Sequence, residues 1–232
     1  MKEVLDQQLL QKYVKEFQLD SFFSSPSLGA FRLYEISKGE TICTKGDSLS
    51  TMYLLVKGKV KIFTTTLEGK SLILRFKTPF AIIGDVEYVK QTEVFNTVES
   101  VSDGYLIGLP FHDIKKHEAH NHAFLQFLLE IITHKFYTES HASTVNMLYP
   151  VDVRLASYLL SLSKEGEGSL FHEEMRTSIL QDIADVIGTS YRHLNRVLQD
   201  FHQHNIIERT RGMIIIKDVE TLKKRANGNI YE

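Results

Sequence analysis

Residues 180–199, LQDIADVIGTSYRHLNRVLQ, constrain this chain more than any other stretch. Ile183, Ala184 and Ile187 share one face of a first helix, and Leu194, Val197 and Leu198 share one face of a second, at amphipathic-helix spacing. Gly188 lies between the two sets. A tight turn between steeply crossed helices needs a backbone conformation that glycine adopts without steric cost, and a small residue at the crossing, here Ala184. Ser190, or Thr189 beside it, is placed to cap the second helix by accepting a hydrogen bond from a backbone N–H. The pattern predicts a helix-turn-helix that turns Tyr191, Arg192, Asn195 and Arg196 outward, with Ser190 and His193 beside them, as a face for the major groove of double-stranded DNA. An ordinary helical hairpin has the same apolar spacing. Glycine, small residue, cap and two outward arginines together favour DNA binding.

The residues that follow extend this reading. Ile206-Ile207, then Glu208-Arg209-Thr210-Arg211-Gly212, then Met213-Ile214-Ile215-Ile216 predict two short strands around a glycine-containing turn, a wing that carries Arg209 and Arg211 to DNA phosphates. Residues 189–217 hold Arg192, Arg196, Arg209, Arg211 and Lys217 against Asp200 and Glu208, a local positive excess within a chain of net charge -2 and pI ≈ 6.6. Phosphate binding needs such a local excess. His202 and His204, protonated, suit the negative end of the second helix or a phosphate.

At 232 residues with 43% hydrophobic composition, the chain is long enough for two domains. It has no apolar run long enough to span a bilayer, and residues 1–17 carry charges throughout, so a cytoplasmic protein without membrane association is expected. The single cysteine, Cys43, suits a small residue in a half-buried strand better than a redox switch or a cluster bridged between subunits. Leu5, Leu9, Tyr13 and Phe17 predict an amphipathic N-terminal helix over residues 1–23, ended by a turn at Ser24-Ser25-Pro26-Ser27.

From residue 30 to 110 short apolar runs alternate with turn residues at Lys38-Gly39, Gly46-Asp47, Lys57-Gly58, Glu68-Gly69 and Asp103-Gly104, which predicts an antiparallel double-sheet roll. Gly69-Lys70-Ser71 mimics the tail of a phosphate-binding loop, but Thr64 stands where that loop needs glycine, and the match is taken as chance.

Lys38-Gly39-Glu40, Gly46-Asp47, Met52-Tyr53-Leu54-Leu55, Gly58-Lys59-Val60 and Ile83-Gly84-Asp85, followed by a long helix and the helix-turn-helix, resemble in one order the regulators of the cyclic-AMP receptor/FNR family. The SYRHL segment is most similar to the YeiL-type branch. The resemblance implies an α+β homodimeric bacterial transcription factor with an N-terminal antiparallel β-roll of jelly-roll, cyclic-nucleotide-binding-like type, a long dimerisation helix and a C-terminal winged helix-turn-helix. Its boundaries here are residues 1–119 for the N-terminal helix and effector roll, 120–149 for the dimerisation helix and 150–232 for the DNA-binding domain. RNA polymerase is a further partner if the protein activates transcription. The resemblance also places Tyr191, Arg192 and Arg196 at the family's three base-reading positions, with arginine replacing an acid at the second.

Family members that bind cyclic AMP use a Gly-Glu pair on the ribose and an arginine about ten residues later on the cyclic phosphate. Here the resemblance sets Gly84, Asp85 and Val86 at the first place and Val94 at the second, and no arginine occurs from residue 76 to 153. A phosphate would then be desolvated against Asp85, Glu87 and Glu93, so cyclic AMP is not expected as the effector, whose identity is left open. A corner turn of the roll accounts equally for Gly84 and Asp85. Arg75 lies on a strand that, by the resemblance, passes close to the pocket, as a wet-face arginine, the favoured reading, or as the anchor of an anionic effector.

Residues 121–148 predict a helix about 40 Å long whose apolar stripe, Phe124, Phe127, Leu128, Ile131 and Ile132, either packs on its own domain or pairs with a second copy, the dimer seam being the expectation. Tyr149-Pro150 breaks it, and a new helix runs from Val151 to Leu162. His117, His120 and His122 suit a solvated helix entry better than a metal site. A cupin-like metal enzyme is the competing class, but all ten histidines lie at or beyond His112, outside the roll's strands. No catalytic residue, metal or cofactor is assigned.

Overall fold

The computed structural model describes residues 1–65, 71–163, 177–210 and 213–227. The turns expected at Glu68-Gly69 and Arg211-Gly212, and the Gly69-Lys70 pair, lie outside the described residues. The chain forms two compact units, Met1–His134 and Lys135–Glu232.

In the first unit, β1 (Lys2–Val4) and α1 (Gln7–Glu16) precede α2 (Ser25–Ala30). This corrects two expectations. Residues 2–4 pair with β2 (Arg32–Ile36) as an edge strand, so the helix starts only at Gln7, where Asp6 caps it through the Leu9 N–H at 2.9 Å, and Leu5 stays exposed. Pro26 opens a helix rather than ending one, because proline's fixed φ and missing N–H cost nothing in a first turn.

The roll follows as β3 (Thr41–Cys43), β4 (Thr51–Lys57), β5 (Val60–Thr65), β6 (Ser71–Lys77), β7 (Ala81–Ile83), α3 (Asp85–Lys90), β8 (Thr97–Ser100) and β9 (Gly104–Pro110). Its strands form two antiparallel sheets, ordered β1-β2-β9-β4-β7 and β3-β8-β5-β6. An inner core between them holds Ile36, Leu55, Leu106 and Ile83 from the first sheet and Cys43, Val60 and Val98 from the second. A second core lies on the outer face of the first sheet, where Met52, Leu54, Ile107 and Leu109 meet Leu10 and Tyr13 of α1 and Phe23. β4 and β9 are thus covered on both faces, which is why Met52-Tyr53-Leu54-Leu55 is a continuous apolar run rather than an alternation.

The chain then enters α4 (Phe111–His117) and α5 (His122–Leu148). Phe124, Phe127 and Leu128 are buried in the outer core, with the Phe127 ring 4.5 Å from that of Phe22. The stripe expected to form a dimer seam therefore packs on its own roll. The exposed apolar residues of α5 are Leu125, Leu129, Phe136, Tyr137, Met147 and Leu148, of which Leu125, Leu129 and Phe136 form a separate stripe, roughly a third of a turn round the helix from the one that holds Phe124, Phe127 and Leu128. Both halves of the apolar pattern were in the sequence; only packing against the sheet separates them.

The second unit contains the end of α5, α6 (Val151–Ser163), α7 (Thr177–Val186), α8 (Tyr191–Gln203), the hairpin β10 (Ile207–Thr210) and β11 (Met213–Ile216), and α9 (Val219–Arg225). α9, unforeseen from the sequence, is capped by Asp218, buries Leu222 and Ala226, and brings Arg225 within 3.9 Å of Asp152 on α6 and 3.8 Å of Asp200 on α8. No helix among the described residues is long and apolar enough to cross a membrane.

Candidate nucleic-acid interface and sensor roll

Two hydrogen bonds close the end of α7: Gly188 N–H to the Asp185 carbonyl at 3.2 Å and Thr189 N–H to the Ala184 carbonyl at 2.8 Å. This cap requires a left-handed residue at position 188, and Gly188 has φ 64. Ser190, with extended backbone, then accepts from the His193 N–H at 3.2 Å, so Ser190 rather than Thr189 starts α8. Ile183, Ala184, Ile187, Leu194, Leu198 and Phe201 are at most 2% exposed and lock the two helices together.

On the other side of α8, Arg192 and Arg196 are exposed one turn apart, while Tyr191, His193 and Asn195 are half-buried. Asn195 does not present a free amide. Its Nδ2 donates to the Tyr191 carbonyl at 3.2 Å, and its Oδ1 accepts from Arg209 Nη2 at 2.6 Å. The wing arginine is thereby held against α8. Lys217 lies 2.7 Å from Glu208, whose carboxyl it holds below the usual range, so it adds less to the positive field than its charge suggests. His204 Nδ1 lies 2.8 Å from the Asp200 carbonyl oxygen and His202 Nδ1 lies 3.2 Å from that of Ile207, so both rings face the protein's own carbonyls. Arg211 is outside the described residues.

In the roll, Gly84 has φ 93, and a Cβ there would lie 2.8 Å from Leu49 Cδ2 and 3.1 Å from the Thr51 carbonyl oxygen. Backbone geometry alone requires glycine here. Asp85, at the start of α3, is 1% exposed, whereas Val86 is exposed. Val94 is 3% exposed and belongs to the inner core, pinned by N–H to Asp47 carbonyl and Gly46 N–H to Val94 carbonyl bonds, both 2.9 Å. Arg75 pairs across the strands with Ile62, and Phe76 with Lys61. Directly opposed residues share a face. Lys61 pairs with Glu99 at 2.8 Å and Lys59 sits 5.0 Å over the Phe76 ring on the wet side, while Ile62 packs on the inner core. Arg75 therefore projects from the inner face, not the wet face expected for it. Cys43 is buried, and burial, with Glu87 adding to it, pushes its thiol up to about 12, so it stays protonated and unreactive at neutral pH.

Comparison with known proteins agrees with both halves. Residues 34–118 match the cyclic nucleotide-binding domain and residues 153–225 match the Crp-like helix-turn-helix domain. Regulatory protein YeiL of Escherichia coli is 27% identical over 185 residues, 79% of this chain and 81% of that protein. The cyclic AMP receptor protein of Thermus thermophilus is 25% identical over 203 residues, covering 85% of this chain and 88% of that one. The crystal structure of a CRP-family transcriptional regulator from the same organism superposes with a TM-score of 0.67 at 20% identity, over 86% of this chain and 98% of that one, which shows the shared fold.

The chain belongs to the cyclic-AMP receptor/FNR family of transcriptional regulators.

At the position that the resemblance assigns to the cyclic phosphate the roll carries no arginine. Val94 fills it with a buried aliphatic side chain that offers an anion no donor. β6 presents Arg75 on the inner face of the roll, across the strands from Ile62. The DNA-binding half keeps the family's architecture but ties Asn195 to the wing. Sequence reasoning missed that tie, as it missed the bonds of Asn146 and Arg154 to the turn, because the groups they join lie 14, 40 and 33 residues apart along the chain.

Proposed function

We propose that this regulator is a homodimer that reads a palindromic operator with Arg192 and Arg196 and is gated by a small effector other than cyclic AMP in its roll. The observation that carries the reading is the pair of exposed arginines one turn apart on a capped α8. Two such helices related by a two-fold axis would meet half-sites one helical turn, roughly 34 Å, apart. Dimerisation is supported by α5, where Leu125, Leu129, Phe136 and Met147 are 46%, 65%, 74% and 83% exposed. Water-exposed apolar area of this kind on a helix favours association with a second copy.

Gating uses the roll. Arg75 on the inner face is the donor for an anionic effector, with Gly84, Asp85 and Val86 at the corner of the roll as further candidate contacts; no metal or prosthetic group takes part. If the regulator activates, RNA polymerase is its second partner.

Selection from random duplexes tests the reading. Wild type enriches a palindrome, and Arg196→Ala enriches it with relaxed preference at one position per half-site, a loss of about 1–3 kcal/mol if the contact is bidentate. Equal enrichment by both proteins removes Arg196 as a base reader, and no enrichment by wild type refutes the specific-regulator reading.

A further inference from the structure

A helix cannot satisfy its own last carbonyls. At the end of α7 three of them are met locally: Ile183 by the Ile187 N–H at 3.0 Å, Ala184 by Thr189 N–H at 2.8 Å and Asp185 by Gly188 N–H at 3.2 Å. The next three, Val186, Ile187 and Gly188, are each taken by a side chain from outside the helix-turn-helix. Asn146, in the last turn of α5, donates from Nδ2 to the Val186 carbonyl at 3.1 Å. Arg154, in the first turn of α6, donates through Nη1 to the Ile187 carbonyl and to the Gly188 carbonyl, the latter at 3.1 Å. Position 188 is tight for this reason too: a Cβ there would lie 3.1 Å from Arg154 Nη1.

These carbonyls form the turn itself. Only Thr189 separates Gly188 from Ser190, the cap of α8, so the orientation of their peptide planes sets the direction in which α8 leaves. The concentration of carbonyl oxygens there also carries the negative end of the α7 dipole, which a guanidinium compensates.

We propose that Asn146 and Arg154 are positioning residues: they fix the turn between α7 and α8, and so the angle at which Arg192 and Arg196 are presented, and Asn146 makes that angle depend on where the end of α5 sits. The inference rests on the DNA-binding reading above and adds to it the route by which a shift of α5 alters recognition. Neither side chain needs to touch DNA for this.

The test uses full-length Asn146→Leu, which fills similar space without a donor, and Arg154→Lys, which keeps the charge but not the planar fork. Affinity is measured for the duplex selected by wild type and for a scrambled duplex, with thermal unfolding and hydrogen exchange of residues 187–195 in parallel. In both variants the selected-to-scrambled ratio falls roughly tenfold while salt dependence stays at the wild-type value, and the unfolding temperature falls by no more than a few degrees, as one or two lost hydrogen bonds allow. Exchange over residues 187–195 speeds up, and exchange in the roll does not change. A larger fall in unfolding temperature with proportional loss on both duplexes would mean that the two residues only hold the domain together, and would overturn the proposal. Unchanged exchange over residues 187–195 would overturn it as well, whatever DNA does. If wild type selects no duplex, the DNA-binding reading fails on its own, and the exchange measurement alone decides whether Asn146 and Arg154 hold the turn.

Discussion

Asn195 on the recognition helix and Arg209 on the wing hold each other, with Arg209 Nη2 donating to Asn195 Oδ1 at 2.6 Å. Both ends of the Asn195 amide are engaged inside the protein, since Nδ2 donates to the Tyr191 carbonyl. An asparagine on the outer face of such a helix would otherwise be assigned to adenine. Here it aims an arginine.

Asn195→Ala should therefore weaken binding to every duplex alike, by about 1 kcal/mol, without relaxing preference at any base position. A double-mutant cycle with Arg209→Ala should be non-additive by about 0.5 kcal/mol or more, because each single change already breaks the shared contact. Fluorescence anisotropy on selected and scrambled duplexes reads both effects. Loss confined to the selected duplex would return Asn195 to base reading.

The two sides of α5 should respond differently to the same charge. Phe136→Glu, on an exposed position, should shift the protein toward monomer in sedimentation velocity with its roll intact. Phe127→Glu places a carboxylate in the outer core beside Phe22, Phe23 and Phe80, and should cost about 4 kcal/mol or more of roll stability, seen by circular dichroism. A stable Phe127→Glu monomer would mean that the assignment of the two sides is reversed.

Cyclic AMP should not bind in titration calorimetry at micromolar concentrations, because buried Val94 offers its phosphate no donor. For an anionic effector recovered by mass spectrometry after native purification, Arg75→Ala should weaken binding at least tenfold, the worth of a charge-assisted hydrogen bond. A micromolar dissociation constant for cyclic AMP contradicts the first statement, and unchanged effector affinity in Arg75→Ala the second.

Glu118 should give the roll a pH dependence. It is 0% exposed, yet accepts from the Ser24 N–H at 2.9 Å, the Ser24 hydroxyl at 2.6 Å and Asn121 Nδ2, joining the start of α2 to the cap of α5. Burial alone would raise its pKa, but these bonds outweigh burial and hold it below the ordinary 4.5. A carboxylate depressed in the folded state stabilises fully above its unfolded pKa and loses that contribution as pH falls through the folded value. Wild type should thus lose stability below pH 4.5, the ordinary value of this carboxyl. Glu118→Gln should be about 2 kcal/mol less stable at neutral pH, with a flatter curve in that acid range. Parallel curves for the two proteins in urea would exclude Glu118 as the source.

Most of what a few consecutive residues encode was legible in the sequence, although α9 with its Asp218 cap was not read. The spacing of Ile183, Ala184 and Ile187, the glycine at 188, the serine cap and the Arg192/Arg196 pair predict the helix-turn-helix, because helix period, turn conformation and capping are local properties of the chain. The alternation in β5 and the glycine turns predict a roll for the same reason. Short-range signals failed where two states compete locally: Pro26 suits a turn or a helix start, and Leu5 suits either end of a strand-to-helix junction.

What only the tertiary structure decided is which face meets which partner. α5 carries two apolar stripes, and the outer face of the first sheet selects Phe124, Phe127 and Leu128, leaving Leu125, Leu129 and Phe136 exposed. Arg75 turns inward because strand pairing sets it opposite Ile62. Arg209, Arg154 and Asn146 find acceptors 14, 33 and 40 residues away. Periodicity fixes that a side chain leaves the helix on a given side, but a hydrogen bond needs an acceptor within about 3 Å, and that distance is set only when the whole chain has packed.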